Sequence, residues 1–108
     1  MFGSRILLLG VAYKPGVGDL RESPALKIMK LLGARGADLS YHDPHVPSLP
    51  EAHLDSVPFE RELESADLVV IVTAHPEIDY RRAASDAQLL LDFRGVTRGI
   101  ESSNLVRL

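Results

Sequence analysis

Arg5-Ile6-Leu7-Leu8-Leu9-Gly10, a polar loop through Glu22, and then Ser23-Pro24 form the stretch that decides the fold. A continuous apolar run ending at a glycine reads as a strand covered on both faces, as strands of parallel sheets are. The loop contains Lys14-Pro15-Gly16-Val17-Gly18-Asp19, whose proline and glycines disfavour helix and strand. Ser23 reads as an N-cap and Pro24 as the first helical position. Ala25, Leu26, Ile28, Met29, Leu32 and Ala34 follow at helical spacing, and Gly36 is a better closing residue than Gly33.

Outward from there, the pattern repeats. Ala37–His42 reads as a second strand, stopped by Asp43-Pro44 and then by Pro47 and Pro50. The stretch from His42 to Val57 reads as a loop. Glu60–Ala66 is a short helical candidate, and Asp67–Thr73 is the clearest strand, apolar on both faces and β-branched. A helix over Pro76–Ala87, a strand over Leu89–Asp92 and a last short strand near Leu105–Val106 complete the series. The alternation predicts an α/β fold: a three-layer α/β/α, Rossmann-like domain, 1–108, with a mostly parallel sheet of about five strands. Ligands of such sheets bind beyond the carboxyl ends of the strands. Here those ends carry Gly10 to Lys14, His42 and Asp43, Thr73 and His75, and Asp92 to Arg94.

Composition narrows the classes. In 108 residues, 45% are hydrophobic and 25% charged, an ordinary globular mixture that excludes a disordered or fibrous chain. No apolar run is long enough to span a membrane, and no basic-then-apolar leader opens the chain, so a cytoplasmic location is expected. The absence of cysteine excludes disulfides, thiolate nucleophiles and Cys-ligated zinc. A net charge of −3 offers no general footprint for nucleic acid or an anionic membrane. Any bound anion must be held by a local basic cluster.

Lys14 and Arg21 supply one candidate cluster, in a glycine-rich loop before a helix N-terminus, where anions are favoured. Arg21 can equally pair with Asp19 or Glu22 and stiffen the loop. The dinucleotide fingerprint G-x-G-x-x-G and the Walker pattern are both absent, so this chain is not expected to bind NAD itself. Asp43 before Pro44 reads as a turn former. His42, Asp43, His45 and His53 lack metal-ligand spacing and read as solvated loop residues, so no metal site is expected. No nucleophile elbow occurs, and Glu60, Glu62 and Glu64 read as a solvated face. Arg94 and Arg98 flank Gly95-Val96-Thr97 after a strand, suited either to phosphate contacts or to surface salt bridges. Tyr13 can stack on a ring or plug the loop.

Ile6 to Leu26, with Tyr13-Lys14 and Asp19-Leu20-Arg21-Glu22-Ser23-Pro24-Ala25, closely resembles the start of the C-terminal domain of the UDP-glucose/GDP-mannose dehydrogenase family. Tyr41-His42-Asp43-Pro44-His45-Val46-Pro47 resembles its second strand and turn. Ala66–His75 resembles its strand ending in Thr, and Asp92-Phe93-Arg94 its late Asp-x-Arg element. The nearest branch is that acting on UDP-N-acetylhexosamines. The resemblance implies a domain that binds the nucleotide diphosphate of a UDP-sugar, with Tyr13, Lys14 and Arg94 as substrate-binding residues, to which the position after the strand adds Arg98. Asp19, Arg21, Glu22 and Ser23 are read as loop-structuring residues, through ion pairing in the loop and the helix cap. In the parent enzyme NAD oxidises the C6 hydroxyl to a carboxylate, through a catalytic cysteine that this chain lacks. The N-terminal NAD-binding and central dimerisation regions are the expected partners, with weak self-association through an exposed apolar patch. This chain alone is then expected to carry no catalytic residue and to be inactive. The alternative is a stand-alone α/β scaffold or regulatory module that has lost nucleotide binding.

Overall fold

Alternate residues of the first strand feed two separate cores, as the two-residue period of a strand requires. Leu7 and Leu9 pack with Val69, Ile71 and Leu90 on one face, whereas Ile6 and Leu8 pack with Val70 and Val72 on the other. The computed structural model describes residues 3–12, 24–50 and 53–107. In chain order these form β1 (Arg5–Leu9), α1 (Pro24–Ala34), β2 (Asp38–His42), β3 (Ser48–Leu49), β4 (Leu54–Asp55) and α2 (Phe59–Ser65). There follow β5 (Leu68–Ile71), α3 (Tyr80–Asp86), β6 (Leu90–Asp92) and β7 (Leu105–Arg107).

The main sheet has five strands in the order β2-β1-β5-β6-β7, and every pairing in it is parallel. Helices α2 and α3 cover one face through Phe59, Leu63, Ala83 and Ala84. Helix α1 covers the other through Ala25 and Met29, joined by Val46 and Leu49. The result is the Rossmann-like, three-layer α/β/α fold that the strand–helix alternation predicts.

Helix α1 ends as its sequence dictates. Gly36 sits at φ 84°, the Ala37 N–H bonds back to the Leu32 carbonyl and the Gly36 N–H to Gly33. This is the paired closure that a left-handed residue after the helix permits. Its N-cap candidate, Ser23, lies outside the described residues.

Two elements depart from the sequence reading. Helix α3 covers Tyr80–Asp86 rather than Pro76–Ala87, because the Asp79 carboxylate accepts the Arg82 N–H at 3.1 Å and caps the helix there. The residues before it form a turn, closed by the Ile78 N–H on the His75 carbonyl. Within the stretch read as loop, Ser48-Leu49 and Leu54-Asp55 form a small antiparallel hairpin, and the buried Leu49 fixes it to the α1-side core.

Candidate functional site at the carboxyl edge of the sheet

The strand order reverses between β1 and β5, because the chain leaves β1 for β2 on one side and later fills β5, β6 and β7 on the other. The crevice beyond the carboxyl ends at such a switch point is where open α/β sheets bind ligands. Here β1 and the segment after β5 come into very close contact. Gly10 adopts φ +85°, and a Cβ built on it would stand 2.5 Å from the Thr73 carbonyl oxygen. Only glycine fits.

Asp43, at the end of β2, ties this edge together. Its Oδ2 accepts the Val11 N–H at 2.7 Å, the Ala12 N–H at 3.1 Å and the His75 Nε2–H at 2.9 Å. Its Oδ1 accepts the His45 N–H at 2.8 Å. Burial acts to raise the Asp43 pKa, but donation by Val11, His45, His75 and Ala12 outweighs it and holds the carboxyl below its ordinary range. An ionised carboxylate only accepts, so the His75 proton on this contact resides on Nε2. The turn-forming role expected of Asp43 is present in its bond to His45. Its larger role is to hold the backbone at Val11 and Ala12, which leads directly into Tyr13.

Thr73 and Tyr80 complete the frame. The Thr73 hydroxyl donates to the Ala12 carbonyl at 2.6 Å, and the Tyr80 hydroxyl accepts the His75 N–H at 2.8 Å and donates to the Thr73 carbonyl. Burial pushes the Tyr80 phenol up to about 12, so it keeps the proton this last bond uses. Beside them, His45 Nε2 lies 2.8 Å from Glu77 Oε2, and its ring centroid is 4.9 Å from that of His75.

A second buried aspartate, at the end of β6, performs the same task. Asp92 accepts the N–H groups of Arg94, Gly95 and Thr97 together with the Thr97 hydroxyl. Burial opposes ionisation here too, yet those donors, Thr97 foremost, hold the Asp92 pKa below its ordinary value. The resulting turn leaves Arg94 and Arg98 exposed. Neither forms a salt bridge among the described residues. A Cβ on Gly95 would lie 3.5 Å from Arg98 Nε, so that guanidinium lies close over the turn.

The residues expected at the site therefore divide. Arg94 and Arg98 both lie exposed on the turn after β6, at the edge where Asp43 holds the start of the loop. Tyr13, Lys14, Asp19, Arg21, Glu22 and Ser23 lie outside the described residues. Of the histidines read as solvated, His53 is exposed, at φ 55°. His42 instead donates through Nδ1 to the Val57 carbonyl and packs its ring near Phe59, and His45 pairs with Glu77. The sequence reading did not foresee the roles of His75, Tyr80 and Glu77. His75 and Asp43 are partners 32 positions apart. Both stand at strand ends, the one signal available beforehand. A cavity of about 580 Å³ lies elsewhere, lined by α1, β2 and β4 residues such as Leu26, Met29 and Leu39, and none of these polar groups borders it.

A parallel sheet whose switch point is flanked by buried aspartates defines a Rossmann-like α/β domain with a candidate ligand-binding edge. The UDP binding domain of the UDP-glucose/GDP-mannose dehydrogenase family matches residues 7–99. The chain belongs to this family. It is 31% identical to the UDP-N-acetyl-D-mannosamine dehydrogenase of Pyrococcus horikoshii, over 87% of this chain and 25% of that protein. It is 32% identical to the UDP-glucose 6-dehydrogenase of Rhizobium meliloti, over 89% of this chain and 24% of that one. The crystal structure of the NDP-N-acetyl-D-galactosaminuronic acid dehydrogenase of Methanosarcina mazei Go1 shares the fold. Its TM-score is 0.80 at 24% identity, over 99% of this chain and 24% of that chain. The UDP-glucose dehydrogenase of Pyrobaculum islandicum gives a TM-score of 0.75 at 29% identity, over 97% of this chain and 25% of that chain. The chain thus spans about a quarter of the length of these relatives.

Proposed function

We propose that this chain binds the nucleotide diphosphate of a UDP-sugar at the carboxyl edge of its sheet, as the substrate-binding domain of an NAD-dependent nucleotide-sugar 6-dehydrogenase. The observation that carries the reading is the strand-end frame itself. Asp43 fixes Val11 and Ala12 immediately before Tyr13 and Lys14, while the Asp92 turn presents Arg94 and Arg98 without carboxylate partners among the described residues. A diphosphate needs such a local set of cations in a chain of net charge −3. Lys14 acts as a point charge on the phosphates, Arg94 and Arg98 fork onto their oxygens, and Tyr13 packs beside the nucleotide. Asp19, Arg21, Glu22 and Ser23 order the loop between β1 and α1.

The oxidation itself is assigned to the remainder of a longer dehydrogenase, which supplies the NAD site and the cysteine nucleophile that this chain lacks. Calorimetric titration with UDP tests the binding role. Lys14→Ala and Arg94→Ala are each expected to weaken binding about tenfold, the loss of one charge-assisted hydrogen bond. Affinity equal to that of the unaltered chain in both variants would remove the assignment.

A further inference from the structure

We propose that His45, His75 and Glu77 form a binding site for a divalent transition-metal ion, zinc(II) being the ion that fits best. One potential ligand atom from each of the three lies within 4.8 Å of the other two. Two imidazoles and one carboxylate suit zinc and its borderline neighbours, whereas magnesium and calcium demand oxygen donors. His45 and Glu77 are 32 residues apart, and the fold alone brings them to one place.

The support behind His75 is what separates this cluster from a chance meeting of side chains. Metal-ligating imidazoles commonly donate their second ring nitrogen to a carboxylate, which fixes the tautomer and aims the ring. His75 donates Nε2–H to Asp43 at 2.9 Å, and both side chains are fully buried. Asp43 is itself immobilised by three backbone N–H groups, those of Val11, Ala12 and His45. With Nε2 held on Asp43, ligation would fall to Nδ1 of His75. His45 and Glu77 supply the adaptable half. Their side chains are 26% and 46% exposed, so an ion can arrive from solvent and retain water in its remaining positions. Their 2.8 Å contact already brings a ring nitrogen and a carboxylate oxygen to a common point. Bonds of about 2.0–2.1 Å in a tetrahedral site set the donors about 3.3–3.4 Å apart, so His45 and Glu77, now 2.8 Å apart, open slightly around the ion while turning toward His75, which rotation of these partly exposed side chains allows. Two neutral imidazoles and one carboxylate leave a bound divalent ion with net positive charge. The proposal does not depend on nucleotide binding by the chain.

The test is calorimetric titration of zinc(II) into the untagged, metal-free 108-residue chain. One saturating equivalent at micromolar zinc is expected. His45→Ala and Glu77→Gln, both on partly exposed side chains, are each expected to weaken binding at least about tenfold. His53→Ala, at an exposed histidine outside the cluster, is expected to leave it unchanged. Absence of saturable binding, equal affinity in the His45 and Glu77 variants, or loss of binding in the His53 variant would each overturn the site.

Discussion

At the scale of single residues, two buried aspartates do the work of positioning. Asp43 and Asp92 end β2 and β6, and each spends its carboxylate oxygens on backbone N–H groups of the connection beyond a strand. For Asp92 the folded pKa is depressed, so the stability it contributes is present above the unfolded value near 3.8 and is lost as pH falls through the lower folded value. Asp92→Asn is expected to cost about 1–3 kcal/mol at pH 7 and markedly less below pH 3. Urea unfolding at both pH values measures this; an equal cost at both would contradict the ionised role. Gly10 is the other indispensable residue. Gly10→Ala places a methyl against the Thr73 carbonyl in a left-handed backbone, and a loss of at least about 2 kcal/mol is expected in thermal unfolding. A variant as stable as the unaltered chain would show that the contact relaxes freely.

At the scale of elements, the reading from sequence succeeded where one local pattern dictated one outcome. Ile6–Leu9 and Leu68–Ile71 are apolar on both faces and became the central strands, β1 and β5. Gly36 closed α1 because no other residue there tolerates positive φ so readily. The departures have different causes, one a competition between local signals and the others tertiary. Pro76 suggested a helix start, but Asp79 offers its carboxylate to Arg82 three residues on, and the cap prevailed. Asp79→Ala is therefore expected to destabilise α3 by about 1 kcal/mol, measured as a lowered urea midpoint at constant slope. An unchanged midpoint would assign the helix start to packing alone. The hairpin of β3 and β4 escaped notice because Pro47 and Pro50 flank two-residue strands, and burial of Leu49 decides it. The Asp43–His75 pair was beyond reach because it depends on β2 and the segment after β5 ending at one edge, a matter of strand order.

At the scale of the molecule, the two faces of the sheet differ in how they are closed. Two helices cover one face and α1 with the hairpin covers part of the other, leaving Phe93 and Val106 each 43% exposed near the β6–β7 edge. Weak self-association through this region is expected, and sedimentation velocity should show Phe93→Ser reducing it. A strict monomer at high concentration would contradict that expectation. Among the described residues no helix is long and apolar enough to cross a membrane. The carboxyl edge gathers the polar frame of Asp43, Thr73, His75, Tyr80 and Asp92, and its loops lead to Tyr13, Lys14, Arg94 and Arg98. The role proposed for this edge is that of a nucleotide-diphosphate half-site. A proton–nitrogen correlation titration of the chain with UDP tests it most directly. Shifts are expected to concentrate at Gly10 to Lys14 and at Arg94 to Arg98 and to be lost in Lys14→Ala. Shifts confined to the cavity between α1 and β2, or none at millimolar UDP, would contradict it.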